Sequence, residues 1–165
     1  MARLLQLMGQ PHAVLDTLQT LGERTPAALP QAAPLMVEAG NATARQAEVH
    51  QRLLAHYAQA PSLDVLESIV AMETADEATQ STARQRYVQH LDKERSLVAA
   101  AKWLAGEKLE HDEFHPQIQR ALDHAVKPLT RYRCAACGFE ARQHFWQCPG
   151  CQTWDSYPAR RVEEL

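Results

Sequence analysis

Tyr132-Arg133-Cys134-Ala135-Ala136-Cys137-Gly138-Phe139 is followed a short way on by Phe145-Trp146-Gln147-Cys148-Pro149-Gly150-Cys151-Gln152-Thr153-Trp154. All four cysteines of the 165-residue chain lie in these two segments, spaced C-x2-C, ten residues, C-x2-C. Two residues between thiols let one tight turn aim both sulfurs at one ion, and two such turns face to face complete a tetrahedron. Gly138 stands after the second cysteine, where such a turn often needs a positive backbone dihedral. Pro149 stiffens the second turn. Cys134, Cys137, Cys148 and Cys151 are therefore candidate ligands of one shared metal ion, and four thiolates suit both iron and zinc. Disulfides or two independent redox pairs are the alternatives. A thioredoxin-type CxxC opens a helix inside a βαβ pattern, and nothing upstream reads that way. The segment is expected to fold as short strands and turns. It is too short to bury a core alone, so the metal stands in for one. Tyr132, Phe139, Phe145, Trp146 and Trp154 flank the turns and are expected to pack as core around the sulfurs, with docking of the module onto the helices as the alternative.

Working outward, the upstream chain repeats itself. Residues 51–71 align with 85–105 at a shift of 34: Gln51-Arg52 on Gln85-Arg86, His56 on His90, Ser62-Leu63 on Ser96-Leu97, Ala71 on Ala105. A period of 34 is that of the tetratricopeptide repeat, a pair of antiparallel helices. The composition agrees: 45% hydrophobic residues, only 6% aromatic and six glycines suit small-residue helix packing. The pattern predicts helices over 1–9 and 11–24, over 28–39 and 44–59 with Gly40-Asn41 as their turn, over 62–73 and 77–93, and from 97 to 106. An ordinary antiparallel helical bundle is the plainer alternative. Residues 106–116 break the pattern. Pro116 opens a last helix with Ile118, Ala121, Leu122, Ala125 and Val126 on one stripe, and Pro128 stops it. The expected fold is mainly α, a tetratricopeptide-type helical solenoid followed by a small four-cysteine metal-binding module. Its parts are helical repeats over 1–106, a linker and capping helix over 107–130, and the metal-binding module over 131–165.

The remaining features bear mainly on what the chain is not. Net charge is −3 with interspersed signs and no basic stripe, which argues against a nucleic-acid partner. Arg131, Arg133 and Arg142 give the metal module a local basic tint. His111-Asp112-Glu113-Phe114-His115 resembles a zinc-protease helix only faintly, because the glutamate is misplaced and Pro116 follows at once. His12, His50, His56, His90, His124 and His144 are expected at the surface, with His56 and His90 packing at equivalent repeat positions. There is no phosphate loop and no nucleophile elbow, so no catalytic residue is expected. No stretch is long and apolar enough to cross a bilayer.

Helical repeats followed by Arg131-Tyr-Arg-Cys-x-x-Cys-Gly-Phe139 and Phe145-Trp-Gln-Cys-Pro-x-Cys-x-x-Trp154 resemble the C-terminal part of the lipopolysaccharide assembly protein B (LapB) family of Gram-negative bacteria. The resemblance implies tetratricopeptide repeats plus a rubredoxin-like module with Cys134, Cys137, Cys148 and Cys151 as ligands to iron or zinc. It implies a place on the cytoplasmic side of the bacterial inner membrane, with the N-terminal anchoring helix and first repeats lying outside this chain. It implies a non-enzymatic adaptor that restrains lipopolysaccharide synthesis by presenting the deacetylase LpxC to the membrane protease FtsH, with lipopolysaccharide or anionic lipid as a further partner. The sequence departs from true rubredoxins in its short ten-residue gap and in Gln152, which stands where a second glycine is usual. Those departures weigh against redox function more than against metal binding. Electron transfer or redox sensing, and a nucleic-acid-binding zinc ribbon, are the competing functions.

Overall fold

The computed structural model describes residues 1–75, 80–107 and 112–165. Among these residues there are eight α-helices: α1 (Ala2–Leu7), α2 (Pro11–Arg24), α3 (Leu29–Ala42), α4 (Gln46–Gln59), α5 (Leu63–Thr74), α6 (Gln80–Leu91), α7 (Leu97–Leu104) and α8 (His115–Val126). Two short antiparallel strands follow, β1 (Tyr132–Arg133) and β2 (Glu140–Ala141), with Tyr132 opposite Ala141 and Arg133 opposite Glu140. The chain forms two compact units, Met1–Gln80 and Ser81–Leu165. The protein is thus mainly helical with a small C-terminal four-cysteine module. Expected helix residues 77–79 and residues 108–111 of the expected linker, His111 among them, lie outside the described residues. No helix among the described residues is long and apolar enough to cross a membrane.

In the first unit each helix packs on the next, and α3 also packs on α5. Val14, Leu15 and Leu18 of α2, Ala33 and Met36 of α3, Val49 and Leu53 of α4, and Val65 and Ile69 of α5 meet in one core. Pro11 opens α2 with its backbone angle already set for a helix. Ser62 caps α5 by accepting from Val65 N at 3.4 Å. Ser96 caps α7 in the same way, accepting from Ala99 N at 2.9 Å. The 34-residue offset read in the sequence therefore returns as two helices begun by equivalent serines. His56 and His90 likewise fall in the last turns of α4 and α6. Burial pushes both imidazoles below their ordinary range, and His90 is almost wholly enclosed, which fits the packing role.

Gly40-Asn41 is not the turn between α3 and α4. Both residues lie inside α3, and the chain turns at Thr43–Arg45, where Ala44 takes the left-handed conformation with φ 56°. The glycine has a packing reason instead. A Cβ on Gly40 would lie 2.8 Å from Val49 Cγ2 of α4, so the two helices touch through the missing side chain. An alanine in an open helix position would gain about 1 kcal/mol over glycine. Here it must displace fully buried Val49, and overpacking costs about 1–3 kcal/mol. Gly40→Ala is therefore expected to lower the denaturant-unfolding stability of the first unit, by about 1 kcal/mol net. A stabilised variant would show that the close approach is not real.

In the second unit α8 packs on α7, begins at His115 with Pro116 in its first turn as expected, and leaves Ile118 exposed. His115 Nε2 lies 3.0 Å from the Leu104 carbonyl, which ties the start of α8 to the end of α7.

Candidate metal centre

The two cysteine segments fold into matching turns. Cys134 N donates to Phe139 O at 2.9 Å and Gly138 N to Cys134 O at 2.9 Å. Cys148 N donates to Thr153 O at 2.9 Å and Gln152 N to Cys148 O at 2.8 Å. The turns also share a backbone conformation: Gly138 has φ +76° and Gln152 has φ +61°. Further main-chain bonds hold the surrounding loop, from Ala135 N to Ser156 O at 2.7 Å and from Asp155 N to Trp146 O at 2.8 Å.

This brings the four sulfurs within 4.8 Å of one another. Cys134 Sγ lies 3.8 Å from Cys151 Sγ, and Cys137 Sγ lies 3.7 Å from Cys148 Sγ. A tetrahedron with metal–sulfur bonds near 2.3 Å has edges of about 3.8 Å, so the spacing fits a single ion. The four cysteines are positioned to bind one metal ion. Iron and zinc both accept such a set. The first cysteine of each pair, Cys134 and Cys148, is buried, and the second, Cys137 and Cys151, is exposed.

The electrostatics also favour a cation. Ser156 Oγ sits 3.2 Å from Cys134 Sγ, and its hydroxyl favours the thiolate, drawing Cys134 down to about 6. Thr153 Oγ1, 3.3 Å from Cys151 Sγ, lowers that thiol in the same way. Cys137 is drawn down by the Phe139 backbone, but its sulfur neighbours, Cys151 first, and desolvation outweigh this and push it up to about 12. Four thiols this close resist joint ionisation, and a divalent ion at their centre removes the conflict.

Around the sulfurs the core contains Tyr132 and Tyr157, with Ala141 and Phe145 packed against it. Burial pushes the Tyr157 hydroxyl up to about 12, and it donates to Phe139 O at 3.1 Å. The aromatic expectation needs correction. Tyr132 and Phe145 pack inward, but Phe139, Trp146 and Trp154 are 44%, 52% and 65% exposed. Sulfurs occupy the centre of so small a module, and no interior remains for three more rings. His144 also departs from the surface position expected of it. Its ring meets Trp146 at 5.0 Å and Tyr132 and Tyr157 at 5.9 Å between centroids, and Nε2 lies 3.0 Å from Tyr157 O. The basic tint is largely cancelled: Glu140 takes Arg133 at 2.7 Å and Arg131 at 3.5 Å. Sequence reading missed Thr153 and Ser156 beside the sulfurs, although a hydroxyl residue next to a cysteine pair was a signal to follow.

Gln152 repeats the geometry of Gly138 with a side chain in a region that costs roughly 1–2 kcal/mol for an L-residue. Gln152→Gly is therefore expected to strengthen the module by about 1 kcal/mol, since glycine's freedom in the unfolded chain offsets part of the gain. The readout is slower loss of metal to a chelator. Faster loss would mean that the glutamine side chain contributes more than its backbone strain costs.

Residues 132–157, from Tyr132 to Tyr157, match the family described as the rubredoxin metal binding domain. The match takes in both cysteine pairs. The same region is similar to curated relatives. Lipopolysaccharide assembly protein B of Escherichia coli K12 is 42% identical over 41 residues, which are 24% of this chain and 10% of that protein. The protein of the same name from Haemophilus influenzae is 31% identical over 39 residues, again 24% and 10%. The matched stretch thus spans about a tenth of the length of these relatives. The rubredoxin-type module carries the likeness, with all four cysteines inside the matched residues.

Proposed function

We propose that Cys134, Cys137, Cys148 and Cys151 hold one zinc or iron ion and that the chain is a non-enzymatic adaptor in the regulation of lipopolysaccharide assembly. The observation that carries this is the 42% identity of the metal module to lipopolysaccharide assembly protein B. A succession of short helices and a 34-residue offset in the sequence support it. In this reading residues 1–106 are tetratricopeptide-like repeats, 107–130 link and cap them, and 131–165 are the metal module. Repeats of this kind present an extended surface to partners and need no chemistry of their own. The partners are the deacetylase LpxC and the membrane protease FtsH, met on the cytoplasmic side of the inner membrane. The ion supplies a cross-link where the module has too few residues for a core.

The test is the lifetime of LpxC in cells where the full protein carrying this chain replaces the resident LapB. Restored turnover, and its loss with Cys148→Ser, is the expected result. Long-lived LpxC beside a stable, metal-loaded protein would overturn the adaptor reading.

One observation favours a second reading. Cys137 and Cys151 are exposed, so one edge of the ion faces solvent, as electron transfer or redox sensing needs. Metal content and visible absorption of protein purified without added metal decide it. One zinc and no colour support the structural role. One iron, with thiolate-to-iron colour that bleaches reversibly on reduction, supports the redox role.

A further inference from the structure

The C-terminal tail reaches back to the first turn of α7. Ser96 accepts from Ala99 N at 2.9 Å and donates its own proton to Glu163 Oε2 at 2.7 Å. Glu163 Oε1 accepts from Leu97 N at 2.5 Å and Val98 N at 3.1 Å. Three of the four amides that a helix start leaves without partners are thereby satisfied, and a carboxylate sits at the positive end of the helix dipole. The equivalent serine on α5, Ser62, caps through a longer 3.4 Å bond.

The other end of the tail is fixed by the metal module. Tyr157 is buried against Cys134 and Cys148, and its hydroxyl bonds Phe139 O, the same carbonyl that receives Cys134 N. His144 holds the Tyr157 carbonyl at 3.0 Å. Beyond it, Val162 N donates to Arg131 O at 2.7 Å and Glu163 N to Leu129 O at 3.2 Å. Arg131 directly precedes β1. Arg161 N donates to Glu164 at 2.8 Å, closing the turn Val162–Glu164 that aims Glu163 at α7. The tail is thus pinned to the sulfur core and to the entry of β1 on one side, and to α7 on the other.

We propose that residues 158–165 form a latch that couples the state of the metal centre to the N-terminus of α7, with Glu163 as the coupling residue. This rests on the four cysteines being metal ligands. With the ion in place, Tyr157 and Arg131 are fixed and Glu163 is held at the helix start. When the ion leaves, the core around Tyr157 dissolves, the tail loses its anchors, and Leu97, Val98 and Ser96 lose their acceptor. The first turn of α7 then frays. A partner that reads α7 thereby reads metal occupancy at cysteines 30 or more residues further along the chain.

Hydrogen–deuterium exchange of the full chain tests this, comparing metal-loaded protein, protein after chelation, and metal-loaded Glu163→Ala. Chelation is expected to speed exchange of the Leu97, Val98 and Ala99 amides about five-fold or more, the effect of losing a helix cap. It should do so together with opening of residues 132–157. Glu163→Ala should speed the same three amides while 132–157 stay protected and metal content stays unchanged. The α2 amides serve as the internal reference. If chelation opens 132–157 while the three α7 amides keep their protection, the latch is refuted and the metal reading stands. If Glu163→Ala leaves those amides unchanged, the coupling residue is wrong and the latch falls with it. If the chain binds no metal, both readings fall.

Discussion

Cys148→Ser abolishes metal binding and unfolds residues 131–165, while α1 to α5 stay helical: this is the expected result with the largest effect. Cys148 is fully buried at the centre of the module. Its amide and carbonyl close the second turn, and its sulfur lies 3.7 Å from Cys137 Sγ. Serine keeps the size but replaces a soft thiolate with a hydroxyl that stays protonated, so the ion retains three sulfur ligands at most. Structural zinc sites contribute about 10–16 kcal/mol of binding free energy to folding. A core built from Tyr132, Tyr157 and two cysteines cannot replace that. Limited proteolysis should cut after residue 130 in the variant and not in the metal-loaded parent, with most of the far-ultraviolet helical signal retained. Equal protease resistance in the two would mean that the module folds without the ion. The simple expectation from repeat architecture is that residues 1–105 are all spared. The Glu163 cap alters this at one place, because α7 should lose protection at its first turn even as the helices of the first unit hold.

Leu53→Ala carries the second largest effect. Leu53 is fully buried on α4 within the core shared by α2, α3, α4 and α5. Removing its isobutyl group loses transfer free energy and leaves a cavity that neighbouring helices fill only in part. Such changes cost about 2–5 kcal/mol. The first unit should therefore unfold at clearly lower denaturant, with a shift of about 3 kcal/mol, while metal content stays at the parent's level. A loss below about 1 kcal/mol would mean that the surrounding helices collapse onto the gap, or that Leu53 is not at the centre of the packing.

Features set by local chemistry were legible in the sequence. The C-x2-C spacing forces two sulfurs onto one turn whatever surrounds it, and the four sulfurs lie within 4.8 Å of one another. The 34-residue offset was legible because the same residue types recur at the same structural jobs: Ser62 and Ser96 start helices, and His56 and His90 end them. Features set by distant contacts were not. Gly40 looked like a turn because a glycine that permits a left-handed bend and one that lets two helices touch are the same letter. Only the position of Val49 separates them. His144 looked like a surface histidine because its partners, Tyr132 and Tyr157, lie 12 and 13 residues away on either side. Gln152 was visible as a departure, but its backbone angle shows that the position still asks for a glycine's conformation. The Glu163 cap joins residues 65 to 67 positions apart, and no local pattern announces it.

The burial of the sulfurs also gives the centre a front and a back. Cys137 and Cys151 face water, while Cys134 and Cys148 are enclosed. A competing ligand can approach an ion there only from the exposed side, so the two outer sulfurs must let go first and the two inner ones last. Exchange of one metal for another would then pass through a half-detached ion still gripped by Cys134 and Cys148. Its rate would depend on the concentration and size of the incoming chelator: small thiols would strip the centre faster than bulky chelators of equal affinity. For a bound ion the order of release would then follow from which sulfur of each pair is covered.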